Sequence, residues 1–68
     1  MNVLINGENY TASTNDSSLT LNELLQQTNP QPPFAVAVNG EFVSQSDYSG
    51  KAIQAQDRID IVSPIFGG

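Results

Sequence analysis

Asparagine-glycine occurs twice in this chain, at Asn6-Gly7 and at Asn39-Gly40, each time between two short runs of alternating apolar residues. A two-residue type I′ turn needs positive φ at both central positions, which Asn and Gly tolerate best, so each dipeptide predicts a β-hairpin. In "MNVLIN", Val3 and Ile5 alternate with Leu4, and Glu8 to Ala12 supplies the return strand. In "FAVAVNGEFV", Val36 and Val38 alternate with Ala35 and Ala37, and Glu41 to Val43 returns. Two hairpins with one apolar face each need a covering layer.

That layer is a single helix. Thr20 precedes Glu23 by three residues as a capping box, and Leu19 and Leu24 occupy the two positions of a hydrophobic staple. Leu21, Leu24 and Leu25 then form one apolar stripe at helical spacing, and Asn29-Pro30 ends it, with Pro32-Pro33 extending the loop. From Ser44 to Gln56 the pattern is irregular, with Tyr48 and Ile53 spaced to close an open end of the core. "RIDIV" is a last strand, with Ile59 and Ile61 on one face and Arg58, Asp60 and Val62 on the other; Pro64 marks where its pairing stops.

The order strand, strand, helix, strand, strand, strand predicts a two-layer α+β domain. With the first and last strands parallel and neighbouring, it is the β-grasp, or ubiquitin-like, roll: a mixed sheet with one main helix across one face. A single domain over residues 1–68 is expected, with 65–68 as a flexible C-terminal tail. Met1, Val3, Ile5, Leu21, Leu24, Leu25, Val36, Val38, Ile59 and Ile61 should form the core. The opposite sheet face would present Leu4, Ala35, Ala37 and Val62, enough apolar positions to predict a protein-docking surface.

Composition removes most chemistries. At 68 residues the chain buries too little surface to build a deep cleft, and it contains neither Cys nor His. That excludes disulfides, thiolate nucleophiles, Ser-His pairs and ordinary zinc or haem sites. No glycine-rich phosphate loop is present, and the carboxylates are scattered, so no catalytic residue, metal site or bound cofactor is expected. A formal net charge of −5, with Lys51 and Arg58 the only cations, disfavours nucleic acid and anionic membranes as partners. The opening residues lack a basic, then apolar, signal segment, and no stretch reaches membrane-spanning length; a cytoplasmic protein that is not itself an enzyme is the expectation.

The remaining feature is "SPIFGG" at the end. At an average glycine usage of roughly 7%, Gly67-Gly68 arises there by chance in well under about one chain in a hundred. The plain alternative is a frayed end without chemistry; but a projecting tail without Cβ atoms on its last two residues can thread a narrow channel and place the α-carboxylate against a nucleotide. Activation by attack on the α-phosphate of ATP would then give an acyl adenylate.

In combination, "VLING", "TLNELL", "VAVNGEFV", "RIDIV" and the final Gly-Gly, over nearly the whole chain, resemble the ThiS-type sulfur carriers of thiamine biosynthesis. The resemblance implies that Gly68 is adenylated by a ubiquitin-activating-type (ThiF-like) adenylyltransferase using ATP. Sulfur from a donor protein then makes a C-terminal thiocarboxylate that a ThiG-like thiazole synthase consumes. Gly67 would give clearance, Ile65 and Phe66 would seat the tail on the partner, and Leu4, Ala35, Ala37 and Val62 would dock the activating enzyme. The chain departs from the family pattern where an Asp-Gly-Asp turn is usual and Ala55-Gln56-Asp57 stands here, and at Ser44-Gln45-Ser46, where a Pro and a basic residue are common. Three other readings share the fold: the small subunit of molybdopterin synthase, a ubiquitin-like protein modifier, and a β-grasp adaptor whose glycines carry no chemistry.

Overall fold

A computed structural model describes residues 1–14 and 18–63, and both Asn-Gly dipeptides form the expected turns. Asn6 and Gly7 have φ of 52° and 84°, and Asn39 and Gly40 have 51° and 89°, the left-handed values of a type I′ turn. The first turn joins β1 (Asn2–Ile5) to β2 (Glu8–Thr11), and the second joins β3 (Ala35–Val38) to β4 (Glu41–Val43). The last strand, β5 (Arg58–Val62), runs between them, parallel to β1 and antiparallel to β3. The sheet order is β2-β1-β5-β3-β4, with the parallel central pair expected from the sequence.

The helix α1 spans Leu21–Thr28 and starts at the predicted capping box. The Glu23 N–H donates to Thr20 Oγ1 at 3.2 Å, and the Thr20 N–H donates to Glu23 Oε1 at 2.9 Å, so two otherwise orphaned backbone donors are satisfied. At the other end Asn29 adopts the left-handed conformation and its N–H caps the Leu25 carbonyl. Backbone bonds tie the helix start to the segment before β5, from Leu21 N–H to the Lys51 carbonyl and from Ile53 N–H to the Leu19 carbonyl, both 2.8 Å. Within the irregular stretch after β4, Gln45–Gly50 forms a 3₁₀ helix.

Leu21, Leu24 and Leu25 pack onto Val3, Val36, Val38 and Ile59, with Ala12, Leu19 and Ile53 completing the buried cluster. Tyr48 closes against it, half-buried. Three residues expected in the core, Met1, Ile5 and Ile61, only border it. The register gives the reason: Met1 precedes β1 and Ile5 ends it, and Ile61 lies beyond the last β1–β5 pair, so each sits at an edge of the cluster.

β5 is entered through a tight turn, with Asp57 N–H donating to the Gln54 carbonyl at 3.1 Å and Asp57 Oδ2 accepting from Gln54 N–H at 2.9 Å. Gln56 takes φ of 72° there, the conformation that glycine would adopt without strain. Asn39 then grips the start of the strand: its Oδ1 accepts from Arg58 N–H at 2.9 Å, and its N–H donates to the Arg58 carbonyl at 2.7 Å.

Candidate functional site

The helix covers one face of the sheet, and strand alternation puts the other set of side chains on the opposite face. Leu4 lies beside Arg58, Ala35 beside Val62, and Ala37 between Asp60 on one neighbour and Phe42 on the other. The large apolar side chains exposed among the described residues are Phe42, at 77%, and Val62, at 48%. Both belong to this outer face. Asn6, Gly40, Phe42, Asp60 and Val62 border a shallow groove across it.

The expected docking residues fare unequally. Val62 is exposed, while Leu4 and Ala35 are half-buried. Ala37 is only 8% exposed and lies at the bottom of the groove, offering little surface of its own. Its methyl is the shortest side chain in a row flanked by Phe42 and Asp60, which stand taller on the adjoining strands. Phe42 was not among the predicted site residues, although a signal for it exists. Val43 pairs with Val36 of the core face, so its neighbour Phe42 must point outward.

Charge on the outer face is sparse. Arg58 Nε lies 3.6 Å from Asp60 Oδ2, and both side chains are more than a third exposed, so the pair contributes little to stability and leaves a locally neutral border. Arg58 also lies over the second hairpin turn, its guanidinium 3.7 Å from where a Cβ on Gly40 would stand. Among the described residues, no group of three His, Cys, Asp or Glu side chains is placed to hold a metal ion. No helix among them is long and apolar enough to cross a membrane.

At the exit of β5 the pairing with β1 changes character. Backbone pairing covers Leu4 with Arg58 and Ile5 with Ile59 and then stops. Asn6 takes over. Its N–H donates to the Ile59 carbonyl at 2.9 Å, its Oδ1 accepts from Ile61 N–H at 2.7 Å, and its Nδ2 donates to the Ile61 carbonyl at 3.1 Å. The side-chain amide thus does for Ile61 what a further strand residue would do. Ile65, Phe66, Gly67 and Gly68, the residues expected to carry and seat the reactive end, lie with Pro64 outside the described residues, as does the expectation that 65–68 form a flexible tail.

A five-stranded mixed sheet with parallel central β1 and β5 and one helix across one face is a β-grasp domain. Within that class the chain belongs to the ThiS family, whose model matches residues 3–68. It is similar in fold to the crystal structure of the thiamine biosynthesis protein ThiS from Geobacter metallireducens, at 24% identity over 100% of both chains with a TM-score of 0.85. It is also similar to the NMR solution structure of a thiamine biosynthesis protein from the same organism, at 24% identity over 100% of this chain and 88% of that one, with a TM-score of 0.77. No curated protein gives a significant match.

Proposed function

We propose that this protein carries sulfur for the thiazole branch of thiamine biosynthesis, on the C-terminal carboxylate of Gly68. The observation that carries the reading is the family match, which continues past β5 through Gly67 and Gly68 to residue 68. The chemistry follows from the carboxylate. In the active site of a ThiF-like adenylyltransferase, an oxygen of the Gly68 carboxylate attacks the α-phosphorus of ATP, and pyrophosphate leaves. Sulfur delivered at the sulfide level by a donor protein then attacks the carbonyl carbon. AMP departs with the electrons of the broken C–O bond and a thiocarboxylate remains, the form a ThiG-like thiazole synthase consumes. Gly67 keeps the channel free of a side chain, and Ile65 and Phe66 hold the tail against the partner.

In this reading the outer sheet face docks the adenylyltransferase, with Phe42 and Val62 as its anchors, Ala35 beside Val62 and Leu4 farther along the same face beside Arg58. An exposed aromatic and an exposed aliphatic lining one groove are the composition of an interface centre. The neutral Arg58–Asp60 pair on the same face leaves no charge that an apolar partner surface would have to desolvate unpaired. One residue added after Gly68 displaces the carboxylate by about 3.3–3.6 Å, more than near-attack geometry tolerates. A Gly68-Ala extension is therefore expected to bind the adenylyltransferase as the native chain does and to give no ATP–pyrophosphate exchange. Exchange at the native rate would contradict the assignment of Gly68.

A further inference from the structure

Asn6 occupies a position whose turn conformation glycine would satisfy equally well, yet its side chain spends both ends of its amide on one distant residue. Asn6 and Ile61 are 55 residues apart, and the two bonds between them, 2.7 and 3.1 Å, address both the N–H and the carbonyl of Ile61. Ile61 is the next-to-last residue of β5. Gly68 is the seventh residue beyond it, at most about 23–25 Å away along the chain. On the β1 side, the backbone ladder has already ended at Ile59. Among the described residues, the direction in which the chain leaves the sheet is therefore fixed from β3 through the pairing of Ala35 with Val62, and from the β1 side by Asn6.

We infer that Asn6 is a positioning residue for acyl transfer. It acts through Ile61, holding the root of the C-terminal segment at one angle so that the carboxylate arrives preorganised at the nucleotide. The inference rests on the carrier reading above and adds a residue to it. A rigid root restricts the volume the chain end samples, and small displacements at a reacting centre cost large factors in rate. Asn39 provides the internal control. It makes an equivalent pair of side-chain bonds, to Arg58 N–H and to Asp57 Oδ1 at 2.9 and 3.1 Å, but at the entry of β5, far from the exit.

The test compares Asn6→Gly with Asn39→Gly in the full chain. Both substitutions keep a residue suited to positive φ and remove two side-chain hydrogen bonds to or beside β5. Their losses of stability in urea should be similar. Amide exchange at Ile61 should rise roughly three- to tenfold in Asn6→Gly and stay native in Asn39→Gly. With ATP and the cognate adenylyltransferase at saturation, so that any change in affinity at the groove does not enter, single-turnover adenylation should fall about ten- to a hundredfold in Asn6→Gly and stay close to the native rate in Asn39→Gly. Asn6→Asp, which keeps the acceptor for Ile61 N–H and loses the donor, should lie between. Native turnover in Asn6→Gly at saturating enzyme, whatever its Kd, or equal slowing in Asn39→Gly would each overturn the inference. A native chain that is never adenylated would instead defeat the carrier reading, and the inference with it.

Discussion

Phe42 and Ala37 stand directly opposite each other across the β3–β4 ladder, the ring 77% exposed and the methyl only 8%. The short residue makes a floor, and the long one rises from it. An anchor of this kind is energetically prominent only when a partner covers it, so Phe42→Ala should change stability by no more than about 0.5 kcal/mol. It should weaken binding to the adenylyltransferase by about 2 kcal/mol or more, close to thirtyfold. Titration calorimetry on native and variant chains checks this. Undiminished affinity would move the interface to another face.

Val62 shares that face at the end of β5, and Val62→Glu tests its reach. Placing a carboxylate in a desolvated apolar contact leaves a charge unpaired, so the complex should weaken at least as strongly as in Phe42→Ala, with the unfolding midpoint nearly unchanged. A large stability loss instead would mean that Val62 serves the fold rather than a partner.

The turn before β5 carries a residue in a conformation that L side chains adopt at a cost. Gln56, at φ of 72°, is exposed, and the backbone bond from its N–H to the Asn2 carbonyl at 2.7 Å survives substitution. Relief of about 1–2 kcal/mol, less about 0.4–1 kcal/mol for the looser unfolded chain, gives a net gain of roughly 0.5–1 kcal/mol for Gln56→Gly. Urea unfolding would detect it as a higher midpoint at constant m-value. A lower midpoint would show that the Gln56 side chain has a stabilising role.

Leu24 is fully buried beneath the middle of the helix and stands in the cluster with Val3, Val36 and Ile59. Leu24→Ala should cost about 2–5 kcal/mol. For 68 residues the whole stability is on the order of 3–10 kcal/mol, so the variant should unfold at far lower denaturant or not fold at all. Native-like stability would contradict the packing of α1 on the sheet.

What was legible in the sequence is what local chemistry decides. The two Asn-Gly turns and the Thr20–Glu23 capping box announce themselves within four residues, and the Leu21, Leu24, Leu25 stripe needs only helical spacing. Residues whose fate depends on distant neighbours were harder to read. Ala37 alternates outward as expected, but its burial is set by Phe42 and Asp60 on adjoining strands. Ile5 and Ile61 alternate inward and still remain partly exposed, because one ends β1 and the other lies beyond the last β1–β5 pair, a register set across 54 positions of chain. Asn6 was recognisable as a turn residue, whereas its grip on Ile61 spans 55 positions and leaves no local trace. The reactive end was legible through resemblance, since two glycines have no side chains to read.

The central claim is that Gly68 accepts sulfur, and intact-mass spectrometry tests it most directly. The native chain is incubated with ATP, the cognate adenylyltransferase and a sulfur donor, with parallel reactions that omit ATP. The account predicts a mass increase equal to replacement of one oxygen by one sulfur, dependent on ATP and confined by fragmentation to Gly68. A native chain that keeps its mass under conditions in which an established ThiS protein is converted, or that gains sulfur anywhere other than Gly68, would contradict it.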